Sequence, residues 1–301
     1  MGRRVAVRVP ATTANLGPGF DALGMALKLY NTVELEETGG SGFHIEVTGE
    51  GEDLLPRDAD NLVARTIEKV FRRVNSSLQG WRVRLDNKIP LQRGLGSSAA
   101  AIVGGLLAAN AVAGSPFSRE ELLAQAIEIE GHPDNVAAAL LGGIVAVAEQ
   151  DGKYYYTNFT PPQELVIYAV IPNFTLSTKA ARGVLPELVP MKDVVFNLGR
   201  VALLTSALKD GDWDLLTVAL KDRIHQPYRS RLIPGMTEAF EAAEKAGAYG
   251  AVLSGAGPTL IAFGPPGLEI GEAMGRVLRA YGIETEIRKL EPTSQGAYII
   301  E

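Results

Sequence analysis

The chain has 301 residues, 46% hydrophobic and 21% charged, a balance that supports buried cores and excludes a disordered polymer; its length predicts two medium domains. Its 29 Lys and Arg against 35 Asp and Glu leave a net charge of -6 with no long run of either sign, which argues against a nucleic-acid binder, whose affinity rests on basic stripes facing phosphates. With no cysteine, disulfides, thiolate metal sites and cysteine nucleophiles are excluded, and a soluble cytoplasmic protein is expected.

Arg3 and Arg4 precede only a short alternating stretch that ends at Pro10, so the amino terminus lacks the apolar core of a signal peptide and reads as a strand over residues 5–9. Alternation or β-branched residues predict further strands at 32–36, 43–47 and 81–85. Helical periodicity covers 62–73. A run rich in Ala, Leu and Val predicts a buried helix over 98–113; its apolar stretch stops at Asn110, well short of the roughly 20 residues that cross a bilayer, so no membrane partner is expected. Ser118 and Glu121 have capping-box spacing and open a helix that runs to 130. A short helix at 136–141 and strands at 144–148 and 154–157 follow. Pro161 and Pro162 mark a break, which sets domains at 1–160 and 161–301. The second half reads as a strand at 165–171, helices at 193–209, 213–224 and 236–246, strands at 249–253 and 259–263, a helix at 268–281, and strands at 284–290 and 296–300. The fold class is therefore α+β.

Three turns are rich in glycine. Gly94-Leu95-Gly96-Ser97-Ser98-Ala99 leads straight into an apolar helix, where bare amides and the helix dipole favour a phosphate and a hydroxyl could reach a magnesium ion; a tight turn capped by Ser97 is the plainer alternative. No Gly-Lys-Ser/Thr follows, so this is not a Walker loop, and the loop-like residues 87–93 argue against a dinucleotide fingerprint. Ser254-Gly255-Ala256-Gly257-Pro258-Thr259 lies between two strands and by itself reads as a hairpin connection. Asn15-Leu16-Gly17-Pro18-Gly19-Phe20-Asp21 alone is an ordinary loop.

Leu122, Leu123, Ala126 and Ile127 share one helix face, and Glu130 projects onto it. A carboxylate there must be paired or bind a metal unless the helix has frayed, so Glu130 reads as a magnesium ligand. Gly131-His132-Pro133-Asp134-Asn135 is good helix-start chemistry, and Ser177-Thr178 opens a helix with Arg182 one turn on; capping explains both equally well. Arg229, in His225-Gln226-Pro227-Tyr228-Arg229, is by default a surface charge.

Together, Pro10 through Gly24, Pro90 through Ala100, Glu130 through Asn135 and Ser254 through Thr259 resemble the signature segments of the GHMP small-molecule kinases, in the expected order. They are most similar to the branch acting on L-homoserine. The resemblance implies a two-domain GHMP kinase fold: an amino-terminal domain like the second domain of ribosomal protein S5, then a ferredoxin-like domain. It implies ATP and Mg²⁺, phosphorylation of homoserine in threonine biosynthesis, and a homodimer. Pro90, Leu91, Gln92, Arg93, Gly94, Leu95, Gly96, Ser97, Ser98, Ala99 and Ala100 would wrap the phosphates, with Ser98 and Glu130 on the metal and Lys88 near the transferring group. Asn61 would contact adenine or simply cap the helix after it. Asn15, Asp21, His132 and Asn135 would lie near the amino and hydroxyl groups of the amino acid and Arg182 and Arg229 on its carboxylate, with Gly257 also on the substrate and Arg231 as the alternative to Arg229. Thr178 and Asp21 are the candidates for handling the hydroxyl proton. Arg93 stands where the family often has a small or apolar residue.

Overall fold

The computed structural model describes residues 3–75 and 80–300, so Met1, Gly2 and Glu301, the ends of the two domains set above, lie outside it. β1 (Arg4–Ala14) and β2 (Leu23–Thr38) run antiparallel and are longer than alternation alone predicts. Pro10, which punctuates the sequence, sits at a register shift between Pro10 and Ala11 rather than at a strand end. The elements continue as β3 (Phe43–Gly49), α1 (Leu62–Arg73), β4 (Gly80–Asn87), α2 (Ser97–Val112), α3 (Arg119–Glu130), α4 (Pro133–Leu141), β5 (Ile144–Gln150) and β6 (Lys153–Phe159).

The second sheet is built from β7 (Val166–Pro172), β8 (Gly250–Leu253), β9 (Leu260–Gly264) and β10 (Thr285–Leu290), in the antiparallel order β10-β7-β9-β8. Between them lie α5 (Thr178–Gly183), α6 (Met191–Asp210), α7 (Trp213–Ala219), α8 (Gln226–Arg229), a 3₁₀ turn (Ser230–Leu232), α9 (Met236–Lys245) and α10 (Ile270–Ala280). This β-α-β-β-α-β path is the ferredoxin-like arrangement. The helix expected over 213–224 stops at Ala219, because 220–225 turn around the buried carboxylate of Asp222, which accepts from the amides of Ile224, His225 and Gln226.

The boundary set between 160 and 161 falls in the segment joining β6 to β7, but the chain's last strand does not stay with the second half. β11 (Tyr298–Ile299) returns to pair with β1, and Leu27 bridges to Pro292. The first sheet therefore has the order β11-β1-β2-β4-β3, with β5 also paired to β2 and β6 to β5. β7 is buried on both faces: Ile167, Ala169 and Ile171 join the larger core that continues from the first sheet, while Tyr168 and Val170 face a smaller core under α9 and α10. Among the described residues, no helix is long and apolar enough to cross a membrane.

Candidate active site

Gly94 and Gly96 take left-handed φ values of 82° and 74°, and Gly96 is the residue before α2, whose start has no side-chain cap. Its first amides are therefore left for an anion. Both glycines are also forced by space. A Cβ on Gly96 would stand 1.9 Å from Thr12 Oγ1, and one on Gly94 would stand 2.3 Å from the Ser254 carbonyl oxygen. The turn from Ser254 to Thr259 does join β8 to β9 as a hairpin, yet it also props this loop. Ser254 Oγ donates to the Gly94 carbonyl at 2.6 Å and lies 2.9 Å from Thr13 Oγ1, and Thr259 N donates to the Arg93 carbonyl at 3.2 Å.

A cavity of about 460 Å³ opens in front of the loop. Leu91, Gln92, Arg93, Gly94, Gly96, Ser97, Ser98 and Asn61 line it. Pro90, Leu95, Ala99 and Ala100 do not; they are buried behind the loop and hold its shape. Lys88 is also outside the lining: its side chain is 64% exposed, and its ammonium lies 3.7 Å from Asp86. The role near the transferring phosphoryl group assigned to Lys88 is not supported by this placement. Asn61 has both ends of its amide committed, accepting from Val63 N at 2.9 Å and donating to the Pro56 carbonyl at 2.7 Å, which is the capping alternative.

Glu130 is the last residue of an intact α3, whose capping box at Ser118 and Glu121 is formed, so the helix has not frayed. Its carboxylate accepts from Ser98 Oγ at 2.7 Å with only 11% of the side chain exposed. Burial raises its pKa above the ordinary carboxylate range, and the Ser98 hydrogen bond opposes this only in part. A hydroxyl and a costly carboxylate side by side at a phosphate-ready helix start are hard oxygen ligands that fit Mg²⁺.

Across the cavity the remaining polar residues converge. Arg182 makes a bidentate pair with Asp21, both bonds 2.9 Å. Asp21 and Asn15 hold left-handed backbone, φ 56° and 69°, and Asn15 fixes that loop by accepting from Asp21 N and donating to the Gly255 carbonyl, both at 3.0 Å. Arg229 is 2% exposed, and its guanidinium donates to the carbonyls of Ala181 and Gly255 and contacts His225 Nδ1. None of these partners is a carboxylate. Burial, with Arg182 nearby, lowers its pKa to about 10, as expected of a cation still short of an anion. Arg231 is exposed and outside the lining, which leaves Arg229 as the second arginine. His132, Asn135, Gly257 and Thr178 all line the cavity, Thr178 at its exposed rim.

Asp134 also lines the cavity and was not among the expected site residues. It is 2% exposed and accepts from Asn135 N, with His132 Nδ1 2.7 Å away. Burial by itself would lower the His132 pKa, but the hydrogen bond and charge of Asp134 outweigh it and raise the value. The helix-start explanation for the segment concealed Asp134, although its neighbours on both sides were singled out.

Two sheets enclose a phosphate-ready helix start, and the class is that of the GHMP kinases: the family models described as GHMP kinases N terminal domain and GHMP kinases C terminal match residues 61–143 and 204–283. A homoserine kinase of Moorella thermoacetica is 47% identical over 98% of this chain and 99% of its own length, and one of Carboxydothermus hydrogenoformans is 47% identical over 97% and 96%. The crystal structure of homoserine kinase from Cytophaga hutchinsonii, 32% identical, superposes with a TM-score of 0.87 over 99% of this chain and 97% of that one. A mevalonate kinase structure at 16% identity and TM-score 0.69 shares the fold alone. The chain belongs to the homoserine kinases of the GHMP family.

Proposed function

We propose that this chain transfers the γ-phosphoryl group of ATP, with Mg²⁺, to the side-chain hydroxyl of L-homoserine, giving O-phospho-L-homoserine and ADP, a step of threonine biosynthesis. The observation that carries the substrate is Arg229, a buried guanidinium with no carboxylate in hydrogen-bond contact among the described residues, set beside the Arg182–Asp21 pair. A zwitterion supplies what that set needs: a carboxylate for the two arginines and an ammonium for Asp21.

In this reading the amides of 96–98 hold the phosphates and Ser98 and Glu130 hold the metal, whose charge would offset that of the triphosphate. Residues 1–160 supply these groups, and residues 161–301 supply Arg182 and Arg229. His132 and Asn135, fixed through Asp134 and the Thr12 hydroxyl, orient the substrate's amino and hydroxyl groups. Thr178 at the rim positions the acceptor hydroxyl. The proposal places the enzyme in the cytoplasm as a homodimer, for which exposed Leu188, Met191, Val195 and Leu198 offer an apolar face; light scattering tests that state.

An ADP-release assay with L-homoserine, L-serine, mevalonate and shikimate tests the acceptor. Homoserine alone should support rapid turnover. Failure of homoserine with any nucleotide refutes the proposal.

A further inference from the structure

His225 is buried completely just before α8, and the chemistry proposed above makes no use of it. Its ring stands between two parts of the acceptor site. Nε2 lies 2.7 Å from the carbonyl oxygen of Gly17, on the loop 15–21 that carries Asn15 and Asp21, and Nδ1 lies 3.3 Å from Arg229 Nη1. Phe20, from the same loop, stacks on the imidazole with ring centres 5.2 Å apart. The guanidinium carbons of Arg229 and Arg182 stand 5.2 and 5.6 Å from the centre of that phenyl ring.

The partners fix the tautomer. A carbonyl oxygen only accepts and a guanidinium only donates, so the hydrogen sits on Nε2 and Nδ1 presents its lone pair to Arg229. The opposite tautomer would set lone pair against lone pair at Gly17 and N–H against N–H at Arg229. Asp222 does not compete for the ring: its carboxylate accepts from the amides of Ile224, His225 and Gln226 and from Asn197 Nδ2, and lies 3.6 Å from His225 Nε2. Arg229 Nε donates to the Ala181 carbonyl at 3.2 Å, and Nη1 donates to the Gly255 carbonyl at 2.9 Å as well as to the imidazole. With Nε and Nη1 committed, Nη2 is the nitrogen left for a carboxylate.

We infer that His225 is a positioning residue for the acceptor: through Nδ1 it aims Arg229 at the substrate's carboxylate, and through Nε2–H it ties down the loop 15–21, so that the carboxylate and ammonium subsites keep one fixed spacing. The inference rests on the homoserine reading above and adds what holds its two charged subsites in register.

His225→Phe keeps the ring's stack on Phe20 while removing both hydrogen bonds. In coupled ADP release it should raise the homoserine KM about 30-fold, with the ATP KM, and the ADP Kd from calorimetry, within about twofold and kcat at saturating homoserine within about threefold. His225→Asn returns an acceptor near the place of Nδ1 and should bring the homoserine KM back to within about fivefold of wild type. Nitrogen NMR of the isotope-labelled wild-type chain, which has three histidines, reads the tautomer of His225 independently of any variant and should show a neutral ring with its hydrogen on Nε2. A hydrogen on Nδ1 in the folded chain overturns the inference whatever the variants do, and so does a phenylalanine variant in which both KM values rise together. A wild-type chain that turns over homoserine, beside a phenylalanine variant with the same homoserine KM, sinks the inference alone; a wild-type chain inert toward homoserine sinks the substrate reading as well.

Discussion

Replacing Arg182 by alanine separates the two halves of the site. The guanidinium and Asp21 are joined by two 2.9 Å bonds, but their side chains are 37% and 33% exposed, so solvent screens the pair and its loss should cost only about 0.5–1 kcal/mol of stability. The substrate's carboxylate is different, because a bound amino acid closes off that solvent. One charge-assisted contact there is worth about 2–3 kcal/mol, or about 30- to 150-fold in kcat/KM for homoserine. The ATP KM should stay within about twofold. Arg182→Lys should recover only part of the loss, since it keeps the charge without the planar fork. The assay is coupled ADP release with each substrate varied against saturating amounts of the other, beside a thermal melt. Equal rises in both KM values, or none, refute the carboxylate assignment.

Glu130→Gln removes a carboxylate that burial already disfavours, so the fold should melt at the same temperature or higher while the Mg²⁺ concentration for half-maximal rate rises at least about tenfold. Because the folded pKa of Glu130 is raised, its contribution to stability is present at low pH and lost as pH rises through the carboxylate range; the glutamine variant should lack that part of the profile. Gly96→Ala places a Cβ 1.9 Å from Thr12 Oγ1 and should abolish ADP binding by calorimetry, whereas Gly131→Ala, at φ 88° with nothing within 4 Å, should cost only about 1 kcal/mol and leave binding intact. His225 is fully buried between the Gly17 carbonyl and Arg229, and burial lowers its pKa. Below about pH 6.5 the unfolded chain takes up a proton that the folded chain refuses, so stability falls with pH there, and His225→Gln should flatten that limb of the melting profile.

The glycine loop and the Ser98–Glu130 contact were legible because each breaks a local rule, glycines leading into an apolar helix and a carboxylate on a core face; Arg182 and Arg229 break none, and only the family resemblance singled them out. Asp134 breaks none either. It stands in the first turn of α4, where an aspartate is ordinary helix-start chemistry, and only the folded cavity shows it beside His132. Lys88 erred the other way, since nearness in sequence to the loop does not turn a strand-end side chain toward the cavity. A strand at 296–300 was expected, but its return to the first sheet was out of reach, because a local pattern signals a strand without naming its partner.

The Arg182–Asp21 pair explains how the same site can accept a zwitterion and resist simpler acids. Both groups satisfy each other in the free chain, so a ligand must replace both partners to gain anything. On the proposed reading an amino acid does so, its ammonium taking Asp21 and its carboxylate taking Arg182 and Arg229. A hydroxy acid without the ammonium would strand Asp21, and a neutral alcohol would leave Arg229 as it stands. Selectivity therefore arises from the cost of the group left unpaired rather than from the number of contacts made. On that argument Asp21→Asn should narrow the preference for homoserine over its deaminated hydroxy-acid analogue by about tenfold or more, through the homoserine term. An unchanged ratio in the same ADP-release assay would place the ammonium elsewhere.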